Sequence, residues 1–288
     1  MKVLIVGASG FLGKKLYSSL SKEFMVIGTS QKSNGNLIKM DITERKEAAE
    51  LIISIRPDIV IVSAAMTDAD LCEIEKERAN NINVIGIKNI TIACVKINAK
   101  LIFFSSDYVF DGKKGGYNED EDTNPLNFYG KTKVESEEIV KNSGLSYIIA
   151  RISWLYGFNS PGDKQTFVNF VVNNLKSGKE IRIVKDQVSN PTLIDDIADA
   201  IKALIKKKEE GLFHIAGREP ISRYDFSLRI AKVFGLDTNL IKETTTPLLR
   251  QKASRPANSS LDITKLQSLG VRMSNVYEGL KKMKRQMV

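Results

Sequence analysis

Five short runs, Val3–Val6, Phe24–Ile27, Asp58–Ser63, Leu101–Ser105 and Tyr147–Ala150, are apolar almost throughout rather than at alternate positions. A strand with one wet face alternates, whereas a strand apolar on both sides must be covered on both sides. Helical patterns over roughly 11–22, 44–55, 79–97 and 128–142 separate these runs. Strands and helices in strict alternation predict a parallel sheet, and right-handed crossovers make it a doubly wound α/β fold. Beyond Trp154 the pattern loosens into a helix near 164–177, a strand at 181–184, a helix at 193–207, a strand at 212–215 and a helix at 222–234. The Thr-, Pro-, Arg- and Ser-rich remainder reads as part of a smaller C-terminal lobe. The expected division is 1–155 for the sheet domain, with parts of 185–216 returning to it, and 156–288 mainly for the lobe. Two loops stand out, the acidic, glycine-containing Asp111–Pro125 and Asn159–Asp163.

With 288 residues, 42% hydrophobic and 27% charged, the chain can bury one large core and a smaller one. It has no run of 18 apolar residues, so no membrane partner is expected. The first strand begins at Lys2, so no signal peptide is expected. Cys72 and Cys94 lack metal or redox spacing and read as reduced packing residues of a cytoplasmic protein. The lone His214 reads as structural, and no metal site is expected. The net charge of +9 is scattered over helix faces, with local runs only at Lys206–Lys208 and Lys281–Arg285. Without aromatic interleaving or a binding module, that charge argues for a polyanionic small molecule rather than nucleic acid.

Gly7, Gly10 and Gly13 follow the first strand and open the first helix. Such glycines permit a tight turn, close approach of a pyrophosphate to the backbone, and close helix–strand packing. The helix N-terminus offers N–H groups and a favourable dipole to phosphates. A dinucleotide is therefore expected at this turn. The second strand ends in Gly28-Thr-Ser-Gln-Lys32, with no carboxylate to receive a ribose 2′-OH. Ser30 and Lys32 suit a 2′-phosphate instead, which favours NADPH, with NADH as the alternative. Asp41 could accept from an adenine amino group or cap the helix starting near Thr43.

The strand at 101–105 runs into Phe104-Ser-Ser-Asp-Tyr-Val-Phe-Asp-Gly112, placing the Ser106 hydroxyl at the carboxyl edge of the sheet where ligands bind. Downstream, Tyr129-Gly-Lys-Thr-Lys133 puts a phenol and an ammonium on one helix face. A cation there is expected to lower a phenol pKa that starts near ~10, giving a proton donor and acceptor suited to an alcohol/ketone pair.

These motifs resemble the extended short-chain dehydrogenase/reductase family with its Rossmann-like domain, and more narrowly its dTDP-4-dehydrorhamnose reductase branch. The resemblance also rests on Ala64-Ala-Met-Thr-Asp68, Pro125–Lys133, Arg151-Ile-Ser-Trp-Leu-Tyr-Gly157, Asp186-Gln-Val-Ser-Asn-Pro-Thr192, Leu212–Gly217 and Arg255-Pro-Ala-Asn-Ser-Ser-Leu-Asp262. It implies NADPH-dependent reduction of the 4-keto group of dTDP-4-dehydro-β-L-rhamnose, with Ser106, Tyr129 and Lys133 catalytic. It implies cofactor contacts at Gly7, Ser9, Gly10, Phe11, Leu12, Gly13, Asp41, Ile42, Ala64, Ala65, Met66, Thr67, Asn83, Tyr129 and Lys133, with Asn83 also supporting Lys133 and Lys133 holding the nicotinamide ribose. The smaller lobe is then substrate-binding, with substrate contacts at Ser106, Asp107, Tyr108 and Trp154. Arg255, in a loop stiffened by Pro256, suits a diphosphate, with Asn258 beside it; alternatively Arg255 pairs with a carboxylate and pins the C-terminal segment. Trp154 is expected to stack on a sugar, or to be core. Relatives have been described with Mg²⁺, but Glu119–Asp122 reads as a solvated loop rather than a cation site.

Two departures stand out, Ser106 where relatives carry Thr and Met66 where they often carry His. Relatives often dimerise through helices matching 79–97 and 128–142. The resemblance extends to the regulatory β subunits of methionine adenosyltransferase, NADP-binding proteins that serve chiefly as partners. Those subunits resemble Arg-Ile-Pro-Ile-Leu-Tyr-Gly where this chain has Trp154. A dehydratase would need Glu after the strand-end acid, and Tyr108 follows Asp107.

Overall fold

A computed structural model describes residues 1–32, 35–158 and 165–287; the loop Asn159–Asp163 lies outside them. The first half alternates as expected: β1 (Lys2–Val6), α1 (Phe11–Leu20), β2 (Met25–Ser30), β3 (Ile38–Lys39), α2 (Arg45–Ile55) and β4 (Ile59–Val62). Next come α3 (Ala69–Ile74), α4 (Lys76–Asn80), α5 (Gly86–Ile97), β5 (Lys100–Ser106), α6 (Phe128–Lys141) and β6 (Tyr147–Ile152). β2 runs three residues past its expected end because its parallel pairing with β1 continues to Thr29 and β3 adds to its far edge. The helix expected over 79–97 is not continuous. A π-helical turn at Asn81–Ile85 separates α4 from α5 and re-aims Asn83.

The second half comprises β7 (Leu155–Tyr156), α7 (Phe167–Lys176), β8 (Ile181–Val184), β9 (Val188–Ser189), β10 (Thr192–Leu193) and α8 (Ile194–Lys207). It continues with β11 (Gly211–His214), β12 (Ile221–Ser222), α9 (Arg223–Phe234), β13 (Ile241–Thr244), α10 (Thr246–Leu249), α11 (Thr264–Ser268) and α12 (Val276–Gln286). β11 returns to the main sheet, whose order is β11–β6–β5–β4–β1–β2–β3, parallel throughout. Strand order reverses between β1 and β4, which opens a crevice at their carboxyl ends. β7 with β10 and β9 with β12 form two-stranded ribbons too brief to show a period in sequence, whereas β8 matches the strand expected at 181–184 and pairs with β13.

Continuous apolarity finds its reason in the two faces of this sheet. Val3, Ile5, Ile59, Ile61, Ile102 and Phe104 point to α1, α8 and the segment around Leu261–Met273. Their neighbours Leu4, Val6, Val60, Val62, Leu101 and Phe103 point to α2 and α5. A third core joins Tyr156, α7, β8, α9 and α12 into the lobe. Among the described residues no helix is long and apolar enough to cross a membrane.

One buried ion pair crosses these layers. Arg151 on β6 donates to both carboxylate oxygens of Glu137 on α6, at 2.9 and 2.7 Å, with both side chains almost wholly buried. Arg151 also lies 5.0 Å from the Phe110 ring centroid and 3.4 Å from His214 Nε2 on β11. A guanidinium only donates, so Nε2 must accept and Nδ1–H must donate to the Asp262 carbonyl at 3.1 Å. Burial, with Arg151 beside it, pushes the His214 pKa down to about 3, so the ring is a neutral structural group.

Removing one partner of such a pair leaves a bare buried charge. Arg151→Ala is therefore expected to lose roughly 3–5 kcal/mol in urea unfolding, while Arg151→Met with Glu137→Leu stays much closer to wild type. Loss below about 1 kcal/mol in the single variant would show the pair to be dispensable.

Candidate active site

The glycine turn sits at the crevice. Gly7 has φ +86°, and a Cβ there would meet the Ala64 backbone nitrogen at 2.7 Å. A Cβ on Gly13 would lie 2.1 Å from the Gly7 carbonyl oxygen, so only glycine lets α1 approach the turn. Gly10 is the N-cap of α1, exposed and with no side-chain cap, which leaves the helix start open toward solvent. A dinucleotide pyrophosphate fits this cradle by shape and by dipole. Ser9 and Phe11 flank it half-buried, while the Leu12 side chain is in the core and only its backbone can reach a ligand.

Along the crevice the other expected contacts divide. Ala64 and Ala65 are half-buried and Thr67 exposed, whereas Met66 is buried. Ile42 is buried too and packs where a Cβ on Gly86 would strike it. Asp41 accepts from Thr43 N at 2.9 Å, Thr43 Oγ1 at 2.7 Å and Gln31 Nε2 at 2.8 Å. It thus closes a local turn rather than capping α2, whose N-cap is Glu44. Ser30 is buried with its hydroxyl donating to the Lys32 carbonyl, which leaves exposed Lys32 as the group free to meet a 2′-phosphate.

Opposite the turn, β5 ends in a 3-10 turn over Asp107–Val109 whose N-cap is Ser106. The Ser106 hydroxyl accepts from Tyr108 N at 3.2 Å and donates to Asp107 Oδ1 at 3.1 Å. Tyr129 enters from the first turn of α6. Asn127 caps that helix by accepting from Gly130 N at 2.8 Å, and Phe128 N donates to Glu73 on α3. Gly130 has a steric duty, because a Cβ there would lie 2.2 Å from the Tyr108 carbonyl oxygen. Its absence seats Tyr129 edge-on to Tyr108, with ring centroids 5.9 Å apart. Met66, Ala69, Cys72, Ala79 and Ala253 pack around Tyr129.

The electrostatics differ from the sequence expectation. Burial raises the Tyr129 phenol well above its ordinary value, and contact with the Ser106 hydroxyl opposes this only in part. Lys133 does not lower it here. The Lys133 ammonium donates to the Phe104 carbonyl at 3.0 Å and lies 5.8 Å from the Tyr129 ring centroid. Burial pushes the Lys133 pKa down to about 8, with Cys72 and Glu137 opposing that fall. The site therefore holds a protonated phenol beside an ammonium that titrates easily.

Several expected contacts face inward instead. Asp107 is buried and accepts from Ser259 at 2.6 Å, Ser189 at 2.9 Å and Ser106, so it ties β5 to the lobe. Burial nonetheless raises its pKa, because hydroxyls replace hydration incompletely. Asn83 accepts from Met66 N at 2.8 Å and donates to Met66 O and Thr132 Oγ1. It fixes the Ala64–Thr67 segment against α6 and does not bond Lys133. Asn258 uses its backbone N–H on Gly112 O and its side-chain oxygen on Ser260 N, docking the loop after β5. Glu119 is not a solvated loop residue, since its carboxylate accepts from His214 N at 2.9 Å. Arg255 takes the scaffold alternative, with Nη1 bonding Asp70 Oδ1 at 2.8 Å and the Ala253 carbonyl at 2.6 Å. Among the described residues no three acids, histidines or cysteines gather as a metal site.

Trp154 lines the same cleft with φ +37°, a strained conformation for a bulky side chain. One ring face is covered by the guanidinium of Arg223, 3.7 Å from the centroid. Arg223, Asp70 and the steric role of Gly130 were not legible in the sequence motifs. Only Arg223 left a trace there, as a basic residue just after a helix-capping serine.

The family model described as RmlD substrate binding domain matches residues 1–288. The chain belongs to that family. It is 32% identical over 293 residues to the dTDP-4-dehydrorhamnose reductase of Aggregatibacter actinomycetemcomitans, covering 97% of each chain. It is 30% identical over 279 residues to methionine adenosyltransferase 2 subunit beta of Bos taurus, covering 94% of this chain and 83% of that one. A solved dTDP-4-dehydrorhamnose reductase from Bacillus anthracis, in complex with NADP, superposes with a TM-score of 0.92 at 32% identity over 99% of each chain. Family membership agrees with the parallel sheet and glycine turn described above.

Gly130→Ala offers a test of this geometry. Alanine favours a helix by about 0.8–1.0 kcal/mol over glycine, but the overpacked contact with Tyr108 costs roughly 1–3 kcal/mol. A net loss of stability in urea unfolding is expected. A gain would show that α6 and the turn after β5 are not in tight contact.

Proposed function

We propose that this chain is an NADPH-dependent reductase that converts dTDP-4-dehydro-β-L-rhamnose to dTDP-L-rhamnose. The observation that carries the reading is the meeting of Ser106, Tyr129 and Lys133 at the end of β5, across the crevice from the glycine turn. Full-length similarity to reductases named for that reaction supports the substrate, and the NADP-bound relative supports the cofactor.

A bound NADPH supplies the hydride to C4. Tyr129, held as a neutral phenol by burial, gives its proton to the alkoxide forming at O4. Ser106 turns its hydroxyl from Asp107 to the same oxygen and orients it. Once the proton has left, the buried phenolate needs a cation, and Lys133 is placed one helical turn on to stabilise it. The cation thus acts on the product of proton transfer, without a lowered pKa in the resting protein.

Tyr129→Phe is expected to bind NADPH with nearly unchanged affinity and to turn over at least about 10²-fold more slowly. Near wild-type turnover on the 4-keto sugar would sink this assignment. The pH profile gives a second check. A reaction that needs charged Lys133 loses rate as pH rises through about 8, the value to which burial lowers it. kcat/KM for NADPH reports the free protein and should fall about tenfold per unit above that pH; a flat profile to pH 9.5 contradicts the role.

Lys32 governs cofactor choice in this reading. Lys32→Glu should weaken NADPH by roughly 10-fold or more through repulsion of the 2′-phosphate, leaving NADH little changed. Equal effects on both cofactors would remove Lys32 from that role.

The similarity to methionine adenosyltransferase β subunits supports a second reading, a partner protein that binds NADP without turnover. Trp154, in the wall of the cleft, favours the reductase.

A further inference from the structure

Arg223 occupies a position that ordinary stability considerations disfavour. It is the first residue of α9, where the helix dipole presents partial positive charge. Arg223 is half-buried, its guanidinium stacked on Trp154 at 3.7 Å and on Phe167 at 4.6 Å, and Phe167 is itself the first residue of α7. Two positive helix ends therefore converge on one cation. A second guanidinium, Arg255, lies close enough to act on Arg223 and on Tyr108. Arg255 has Asp70 as a direct partner. Among the described residues Arg223 forms no ion pair, and buried Asp107, the carboxylate that acts on it from a distance, is already filled by three hydroxyls. Positive charge is thus assembled on a rigid aromatic platform with too little anion to match it.

The position of this cluster in the cleft identifies what completes it. Tyr108 touches the Tyr129 ring, and both guanidiniums hold its phenol down against burial. The charge cluster is one residue removed from the proton donor, a spacing suited to a sugar ring whose ketone meets Tyr129 while its anomeric phosphate points to α9.

We propose that Arg223, set on Trp154 and Phe167 at the converging starts of α7 and α9, is the specificity-determining residue for the diphosphate of the nucleotide-sugar substrate. This rests on the reductase reading above and assigns one of its subsites. It also changes the part played by Trp154, which becomes the platform that holds the guanidinium flat instead of stacking on the sugar with that face. Planarity matters because a guanidinium can meet two phosphate oxygens at once, which an ammonium cannot.

The test is calorimetric titration of the NADP-loaded protein with thymidine 5′-diphosphate and with thymidine. Arg223→Gln should weaken the diphosphate by roughly 10–100-fold and leave thymidine, NADPH affinity and melting temperature unchanged. Arg223→Lys should recover only part of the loss. Equal weakening of thymidine and the diphosphate, or unchanged diphosphate affinity in Arg223→Gln, overturns the assignment. Wild-type protein that binds neither probe overturns the nucleotide-sugar reading itself, and the assignment with it.

Discussion

The geometry of the site depends on the bidentate pair between Arg151 and Glu137. It joins β6 to α6, reaches β11 through His214, and packs on Phe110 at the turn after β5. The two side chains lie 14 residues apart in sequence yet are both nearly inaccessible to water. A buried ion pair gains little net stability over apolar packing of the same volume, because desolvation offsets most of the Coulomb attraction. Its value here is positional. Satisfying both carboxylate oxygens restrains α6 on β6, and α6 so held carries Tyr129 to Ser106 and Lys133 to the Phe104 carbonyl.

A second set of constraints ties the lobe to the sheet. Asp107 gathers hydroxyls from Ser189 and Ser259, so three stretches distant in sequence share one carboxylate at the end of β5. Asp70 receives Ala253 N and Arg255, which brings Ala253 against Tyr129. Polar groups of this kind must be satisfied wherever they are buried. By satisfying one another they close the floor of the cleft, and the lining that remains is aromatic and cationic: Tyr108, Trp154 and Arg223.

What was legible in the sequence follows from this division. The central sheet could be read because covering both faces of a strand demands an unbroken apolar run, as in Leu101–Phe104. The glycine turn could be read because Gly7 and Gly13 answer local steric demands. β3, β7, β9, β10 and β12 could not, since two residues carry no period. Neither could the inward turn of Asp107, Asn83 and Asn258, whose short side chains bond whatever tertiary packing brings near. The Tyr129 phenol was misjudged for a related reason. Tyr-x-x-x-Lys spacing promises a nearby cation, but burial of Tyr129 outweighs it, and the Lys133 ammonium is drawn to a backbone carbonyl. Arg255 kept two open readings because a fixed loop does not reveal which anion it meets.

The account makes α6 and the end of β5 a proton-delivery device working on a carbonyl that faces the glycine-turn crevice. Deuterium transfer reports on that claim directly. The protein would be incubated with 4,4-dideuterated NADPH and freshly generated dTDP-4-dehydrorhamnose, and the product examined by NMR. The account predicts one deuterium at C4 of dTDP-L-rhamnose for each NADPH oxidised. Tight binding of NADPH without deuterium at C4 would contradict it and would favour a partner-binding protein built on the same fold.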